Sequence, residues 1–494
     1  STRTLTVLFA RLHGRTHSRV GGNPWYVSRT SSAMLKTSRR IFFLVLVAIG
    51  LISGCGGGGG TSTPSTSPVL VFSDVHFDPF YDQTIFPQLV AAPASEWASI
   101  FQTSHITTLS VSPNDTNYPL LVLALSSIRQ NLGASPLVIF PGDILSHGFD
   151  KAFYAYSNIQ TPTAEQVTAM QTFSDKTVAF FMEQVRLSVG NIPVMFAVGN
   201  NDSYADIGPE PLFLSNTAEL FYSKFLNGSV DHQEFLATFT NGGYYAAEPA
   251  GTNLMVIGLN TVQISTIVTP DVILEDTQLA WFESRLALAK AAGKKVWLLM
   301  HVPPGTYPYK TSKLAINGKI DATSAQMTWQ ANYQDRFLQL LANYPGVVAM
   351  IFAGHTHMDE YRILPSSEAV EISPSISPRS GNNPAYKVFT FSPDSLQFVD
   401  YSALNYSLAS NPQPEQFANE YTFLAGYSMP GLLANSLAQL WPELATNMAK
   451  QTLFRESYSS GSAFKPMTDA NWQIFWCGIG KMGVNEFVSC VNGT

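Results

Sequence analysis

Residues 347–357 read Val-Val-Ala-Met-Ile-Phe-Ala-Gly-His-Thr-His, an unbroken apolar run that ends on two histidines. A run of this length with no polar alternation suits a strand buried on both faces. The same arrangement recurs upstream. Val69–Phe72 leads into Ser73-Asp74-Val75-His76, and Leu137–Phe140 into Pro141-Gly142-Asp143. Val194–Val198 leads into Gly199-Asn200-Asn201-Asp202, and Val296–Met300 into His301. Leu254–Leu259 is a further run of the same kind. Five strands thus end in imidazole, carboxylate or amide side chains, at the strand ends where α/β folds gather their sites.

Helical patterns separate the strands. The clearest is 276–292, with Asp276 as the expected N-cap, Leu279, Phe282 and Leu286 on one face, and Gly293 just beyond the end. A second covers 331–342, with Phe337, Leu340 and Leu341 apolar. The alternation predicts an α/β domain of layered sheets with outer helices. Past about residue 395 the pattern changes, and 413–455 reads as helical through Phe417, Tyr421, Leu424, Leu432, Leu437, Leu440 and Leu444. The expected organisation is a catalytic domain over 69–395 and a helical C-terminal subdomain over 396–494.

Composition narrows the function. Hydrophobic residues at 45% provide a large core and exclude a disordered chain. Residues 1–54 hold eight basic residues and no acid, so the remainder carries fifteen more acids than bases. No nucleic-acid-binding surface is expected on such a body. The Gly-x-Gly-x-x-Gly matches at Gly54 and Gly478 open no βαβ unit, which removes the dinucleotide reading.

The positive charge at the start has its own explanation. From Met34 the sequence shows a basic segment (Lys36, Arg39, Arg40), an apolar segment (41–52) and small residues before Cys55, the pattern of an export signal. Ile52-Ser53-Gly54-Cys55 resembles a bacterial lipobox, which makes Cys55 the expected lipidation site and mature N-terminus. An ordinary secreted signal is the alternative. Residues 1–33 read as a non-native or disordered leader, 34–54 as the lipoprotein signal peptide, and 55–68 as a flexible Gly/Ser/Thr/Pro linker. The expected location is outside the cytoplasm, on a bacterial membrane through the lipid or otherwise secreted. With Cys55 set aside, Cys477 and Cys490 form an even pair in an exported chain, and a disulfide is expected.

The strand-end residues suit one chemistry. Asp-x-His places two ligands on the same side of an extended segment, and Gly-His-x-His repeats the device. Imidazole and carboxylate suit Zn²⁺, Mn²⁺ or Fe. An Asp can bridge two ions, which together activate water and clamp a phosphoryl group.

The ordered set Asp-x-His, Gly-Asp, Gly-Asn-Asn-Asp, His and Gly-His-x-His resembles the calcineurin-like metallophosphoesterases. Residues 242–261, 276–305, 352–363 and 373–391 are similar to the acid sphingomyelinase-like phosphodiesterases within that group. The resemblance implies a layered β-sandwich with flanking helices and two divalent metal ions, usually zinc. It places one ion on Asp74, His76, Asp143 and His357, and the other on Asp143, Asn200, His301 and His355. A metal-bridging hydroxide would be the nucleophile. His147 matches the histidine that faces the scissile phosphate. Asn201 stands where the family commonly has a histidine that protonates the leaving group, although endopolyphosphatases also carry Asn there. An amide is no useful acid, so the expectation is a preference for leaving groups that need little protonation, with His147 mainly binding phosphate. The implied substrate is a phosphodiester or pyrophosphate. The alternatives are an endopolyphosphatase-like enzyme and a catalytically weakened, metal-containing binding lipoprotein. His105 and His232 match nothing and are expected to be structural or solvent-facing.

Overall fold

The computed structural model describes residues 65–494 apart from Pro270. The expected leader, signal segment and Cys55 lie outside the described residues. The six apolar runs become strands, and further strands complete two six-stranded sheets. In chain order these are β1 (Ser67–Val71), β2 (Val138–Phe140), β3 (Val194–Phe196), β4 (Tyr245–Ala247), β5 (Leu254–Gly258) and β6 (Lys295–Leu299). They continue with β7 (Val348–Ala353), β8 (Glu360–Ile363), β9 (Ala369–Ile372), β10 (Ala385–Phe391), β11 (Phe398–Asn405) and β12 (Ala418–Thr422).

One sheet runs β12-β11-β10-β1-β2-β3 and the other β4-β5-β6-β7-β9-β8. Strands β1, β2 and β3 are parallel, as are β5, β6, β7 and β9. Parallel pairing sends successive C-terminal loops off the same edge of each sheet.

The lack of polar alternation has a direct cause in β6. Trp297 and Leu299 enter the core between the sheets, where Trp297 lies 5.0 Å from Phe391 and 4.7 Å from Phe398 by ring centroids. Val296 and Leu298 point the other way, into a core closed by Leu279, Phe282 and Leu286 of the helix Val272–Ala291 and by Phe337 and Leu341 of the helix Ala331–Asn343. Each fully buried side chain of this size stabilises the fold by roughly 1.5–3 kcal/mol, so both faces must stay apolar.

Two expectations need correction. The helix expected from 276 begins at Val272, because Asp271 caps it by accepting from the backbone N–H groups of Ile273 and Leu274. Asp276 lies inside the helix and pairs with Arg336 at 2.7 Å. The region after 395 is also not simply helical. β11 and β12 extend the first sheet beyond that boundary, with β11 pairing antiparallel to both β10 and β12. Helices follow from Phe423 onward and end in Trp472–Gly480 and Val484–Asn492, which the Cys477–Cys490 disulfide joins. No helix among the described residues is long and apolar enough to cross a membrane.

Candidate metal centre

The loops leaving β1, β2, β3, β6 and β7 converge. Five of their polar residues adopt left-handed backbone: Asp74 (φ 51°), His76 (47°), Asp143 (65°), His355 (73°) and His357 (67°). Such conformations are costly for residues other than glycine and persist where the surroundings enforce them. Asp74 and His76 therefore do not alternate along an extended strand. Turns deliver both side chains to the site.

Glycine permits the convergence. A Cβ on Gly199 would overlap the Asp143 carboxylate, and one on Gly354 would stand 2.5 Å from Asp74 Oδ2. Asp202 then binds the loops together. Its carboxylate accepts from the N–H groups of Gly199 (2.8 Å), Ile144 (2.7 Å) and Asp143 (3.1 Å). Asp74 does the same for the last loop by accepting from the His355 N–H at 3.0 Å.

The donor atoms crowd around Asp143, with Asp74, Asp143 and His301 within reach of one another and His76, His147 and His357 likewise. On one side, His76 Nε2 lies 3.3 Å from Asp143 Oδ2 and 3.1 Å from His357 Nε2. Asp74 Oδ1 is 3.6 Å from His357 Nε2. On the other side, His301 Nε2 lies 3.2 Å from Asp143 Oδ2 and 3.1 Å from Asn200 Oδ1, which is 2.8 Å from His355 Nδ1. His76 Nδ1 donates to Leu145 O and His301 Nδ1 to Pro141 O, at 3.0 and 2.8 Å. In a neutral ring this leaves Nε2 as a bare lone pair aimed inward, the arrangement of a metal-ligating histidine held by a backbone carbonyl.

Electrostatics agree with a ligand role. Burial, with help from His147, lowers His76 to about 4. Burial and the neighbouring His301 lower His355 to about 3, and burial holds His357 well below its ordinary value. All three rings are therefore neutral and hold lone pairs at close range. Burial alone would raise Asp143, but His301 and His76 outweigh it and hold the carboxyl well below its usual range. Burial disfavours charge on His301, yet Asp143 raises it to about 9. Burial raises Asp74 to about 7, so His301 and Asp74 would each give up a proton to a cation, and the carboxyl, imidazole and amide oxygen donors together suit divalent ions such as Zn²⁺, Mn²⁺ or Fe.

His147 stands at the open side of this cluster, its ring stacked on His76 at 4.1 Å. Its Nδ1 meets both oxygens of Asp115 at 3.1 Å, and its backbone N–H also donates to Asp115. Asp115 further accepts from Ser377 Oγ at 3.0 Å. Asn201 stands where the resemblance led to the expectation of a histidine, and it is turned toward Asp143. Its backbone N–H and its side-chain amide both donate to Asp143, at 2.7 and 2.9 Å. His105 is exposed, and His232 pairs with Glu219 at the surface.

Sequence reasoning missed Asp115 and Ser380. Ser380 Oγ lies 3.1 Å from His357 Nδ1. Asp115 is hidden in Ser-Pro-Asn-Asp-Thr-Asn, which reads as a turn ahead of the helix Tyr118–Asn131. No local pattern distinguishes it.

Residues 67–359 match the calcineurin-like phosphoesterase family, and the chain belongs to it. It is a metal-dependent phosphoesterase with acid sphingomyelinase-like relatives. Among curated proteins it is similar to cyclic GMP-AMP phosphodiesterase SMPDL3A of Rattus norvegicus, 25% identical over 425 residues that cover 81% of this chain and 86% of that one. Sphingomyelinase phosphodiesterase D of Dictyostelium discoideum is 25% identical over 369 residues, or 70% of this chain and 74% of that protein. Sphingomyelin phosphodiesterase of Bos taurus is 25% identical over 358 residues, or 68% and 50% respectively.

Proposed function

We propose that the protein is an exported binuclear-metal phosphoesterase that hydrolyses phosphodiester or phosphoanhydride bonds. The observation that supports this reading is the approach of His76 Nε2 and His301 Nε2, from different loops, to the same Asp143 carboxylate oxygen. Asp74, His76, Asp143 and His357 would hold one divalent ion, and Asp143, Asn200, His301 and His355 the other. Bound there, zinc or a similar ion supplies Lewis-acid stabilisation of the phosphoryl group and activates water.

The chain's own residues do the rest. Asn201 fixes the Asp143 carboxylate, and Asp202 the backbone that carries it, so that the carboxylate can serve both ions. His147 projects into the open side with Nδ1 held by Asp115, so its Nε2 is the atom placed to carry a proton to the leaving oxygen. General acid transfer of this kind is worth about 10²- to 10⁴-fold. Asn201 supplies no proton, and its amide is already engaged by Asp143. His147 therefore takes the acid role in place of the poor-acid scheme suggested by Asn201 alone.

Export rests on the signal pattern before Cys55, and membrane attachment on lipid at that residue. Cys55→Ser should move the protein from the detergent phase to the aqueous phase, and an unmodified wild-type Cys55 would refute the anchor. The activity is tested with bis(p-nitrophenyl) phosphate. Hydrolysis should stop on chelation and return with Zn²⁺ or Mn²⁺. A metal-loaded protein that hydrolyses no phosphoester would instead be a metal-containing binding lipoprotein.

A further inference from the structure

The chain leaving His357 carries charge that is buried away from solvent. Asp359, Glu360 and Arg362 are buried, and so are Glu371 of β9 and Lys387 of β10. Buried ion pairs add little net stability, because desolvation offsets their attraction, and their best-attested use is to fix one arrangement over others.

Asp359 is the hub of this group. Its backbone N–H donates to Tyr458 O at 2.8 Å. Its carboxylate takes Lys387 Nζ at 2.7 Å on Oδ1 and the Tyr421 hydroxyl at 2.7 Å on Oδ2. Tyr421 lies in β12 and Tyr458 follows the helix Met448–Ser457, so both grips come from beyond residue 396. Glu360 is held by the same region, since the Tyr458 hydroxyl donates to its Oε1 at 3.1 Å.

The anchor bears on a strained stretch of backbone. His355 and His357 both have positive φ, a conformation that persists where the surroundings enforce it. Asp74 holds His355 through its N–H. His357 is held by Ser380 on its ring, by the Ser375 N–H that donates to its carbonyl at 3.2 Å, and by the fixed chain two residues further on.

We propose that Asp359 is a positioning residue for His357, and that Lys387, Tyr421 and Tyr458 act through it to clamp one side of the metal centre. The inference rests on the reading of the centre as a metal site and deepens it. The ion on Asp74, His76, Asp143 and His357 depends on the clamp, and the ion on Asn200, His301 and His355 does not.

The test titrates Mn²⁺ into the metal-free full chain, followed by calorimetry and by electron paramagnetic resonance, in which two neighbouring ions give a coupled signal and one ion does not. Asp359→Asn keeps the size of the side chain but replaces one acceptor oxygen with an NH₂. It should weaken one ion by about tenfold, the loss typical of a partner that orients a ligand, and leave the other within twofold. Its one-ion spectrum should match that of His357→Ala. Tyr421→Phe removes a single hydroxyl and should weaken the same ion by less, which decides the question if Asp359→Asn does not fold. Glu371→Gln removes the other carboxylate partner of Lys387 without touching the His357 loop, and should leave both ions within twofold. Unchanged binding in Asp359→Asn or in Tyr421→Phe, equal weakening of both ions, or the same loss in Glu371→Gln would overturn the clamp and leave a two-ion centre standing. A wild type that binds one ion, weakened by Asp359→Asn, would refute the binuclear reading and leave the clamp, and a wild type that binds none would refute both.

Discussion

The carboxylate of Asp143 lies against both His76 and His301, in a donor set that fits divalent cations. Its position depends on residues that touch no ligand. Asp202 accepts three backbone N–H groups, including that of Asp143 itself. In Asp202→Asn one oxygen becomes an NH₂ that cannot accept. Partners of this kind are typically worth 10–100-fold in metal affinity or activity, and a loss of about that size is expected in a metal titration. Gly199→Ala should be more severe, because the new methyl group overlaps Asp143 directly. Asp115→Asn tests His147. It should lower turnover by about 10²-fold, most for esters with basic leaving groups and least for aryl esters. An unchanged leaving-group slope would remove His147 from the acid role. The proposed ligands were legible because they follow apolar runs, so strand and chemistry appear in one stretch of sequence. Asp115 was not, because it acts through His147, 32 residues away in the chain.

The strands leading into the centre were legible for the same reason: a strand buried on both faces has no freedom to include polar residues. β11 and β12 were missed because they violate that pattern. Phe417, Tyr421 and Leu424 fall at helical spacing, yet Tyr421 lies in β12 opposite Ala403 and its hydroxyl meets those of Tyr401 and, through its own proton, the Asp359 carboxylate. Tertiary pairing overrode the local period. The terminal helix pair supports the segment that follows His301. Gln334 Nε2 donates to Met482 O at 2.8 Å, Lys319 Nζ donates to Asn492 O at 2.9 Å, and Gly478 packs beside Pro308. The Cys477–Cys490 link closes a sequence separation of 13. A loop of about that size contributes about 3 kcal/mol by restricting the unfolded chain. Cys477→Ser should lower the melting temperature accordingly, and an unchanged melting temperature would show that the hairpin holds without its crosslink.

At the scale of the molecule, buried acids set a pH dependence separate from the metal ligands. Burial raises Glu371 to about 7 against the pull of Lys387, and raises Glu420 to about 8 with Asp359 adding to the effect. One oxygen of each lacks a hydrogen-bond partner. Their folded-state values lie above the ordinary 4.5. The folded state therefore binds these protons more tightly than the unfolded state. Their stabilising effect is complete below about 4.5 and is lost as pH rises through 7 to 8. Melting temperature should decline over that window, and Glu420→Gln, which mimics the protonated form, should flatten the decline. A slope unaffected by Glu420→Gln would contradict this assignment. The family and the sheet framework are legible in the sequence, whereas these buried acids arise only from long-range packing. The most direct test of the whole scheme is the metal content of purified, metal-loaded protein by elemental analysis. Two divalent ions per folded chain are predicted, with both lost or severely weakened in Asp143→Ala. One ion or none in a well-folded wild type would contradict a centre built on a shared Asp143.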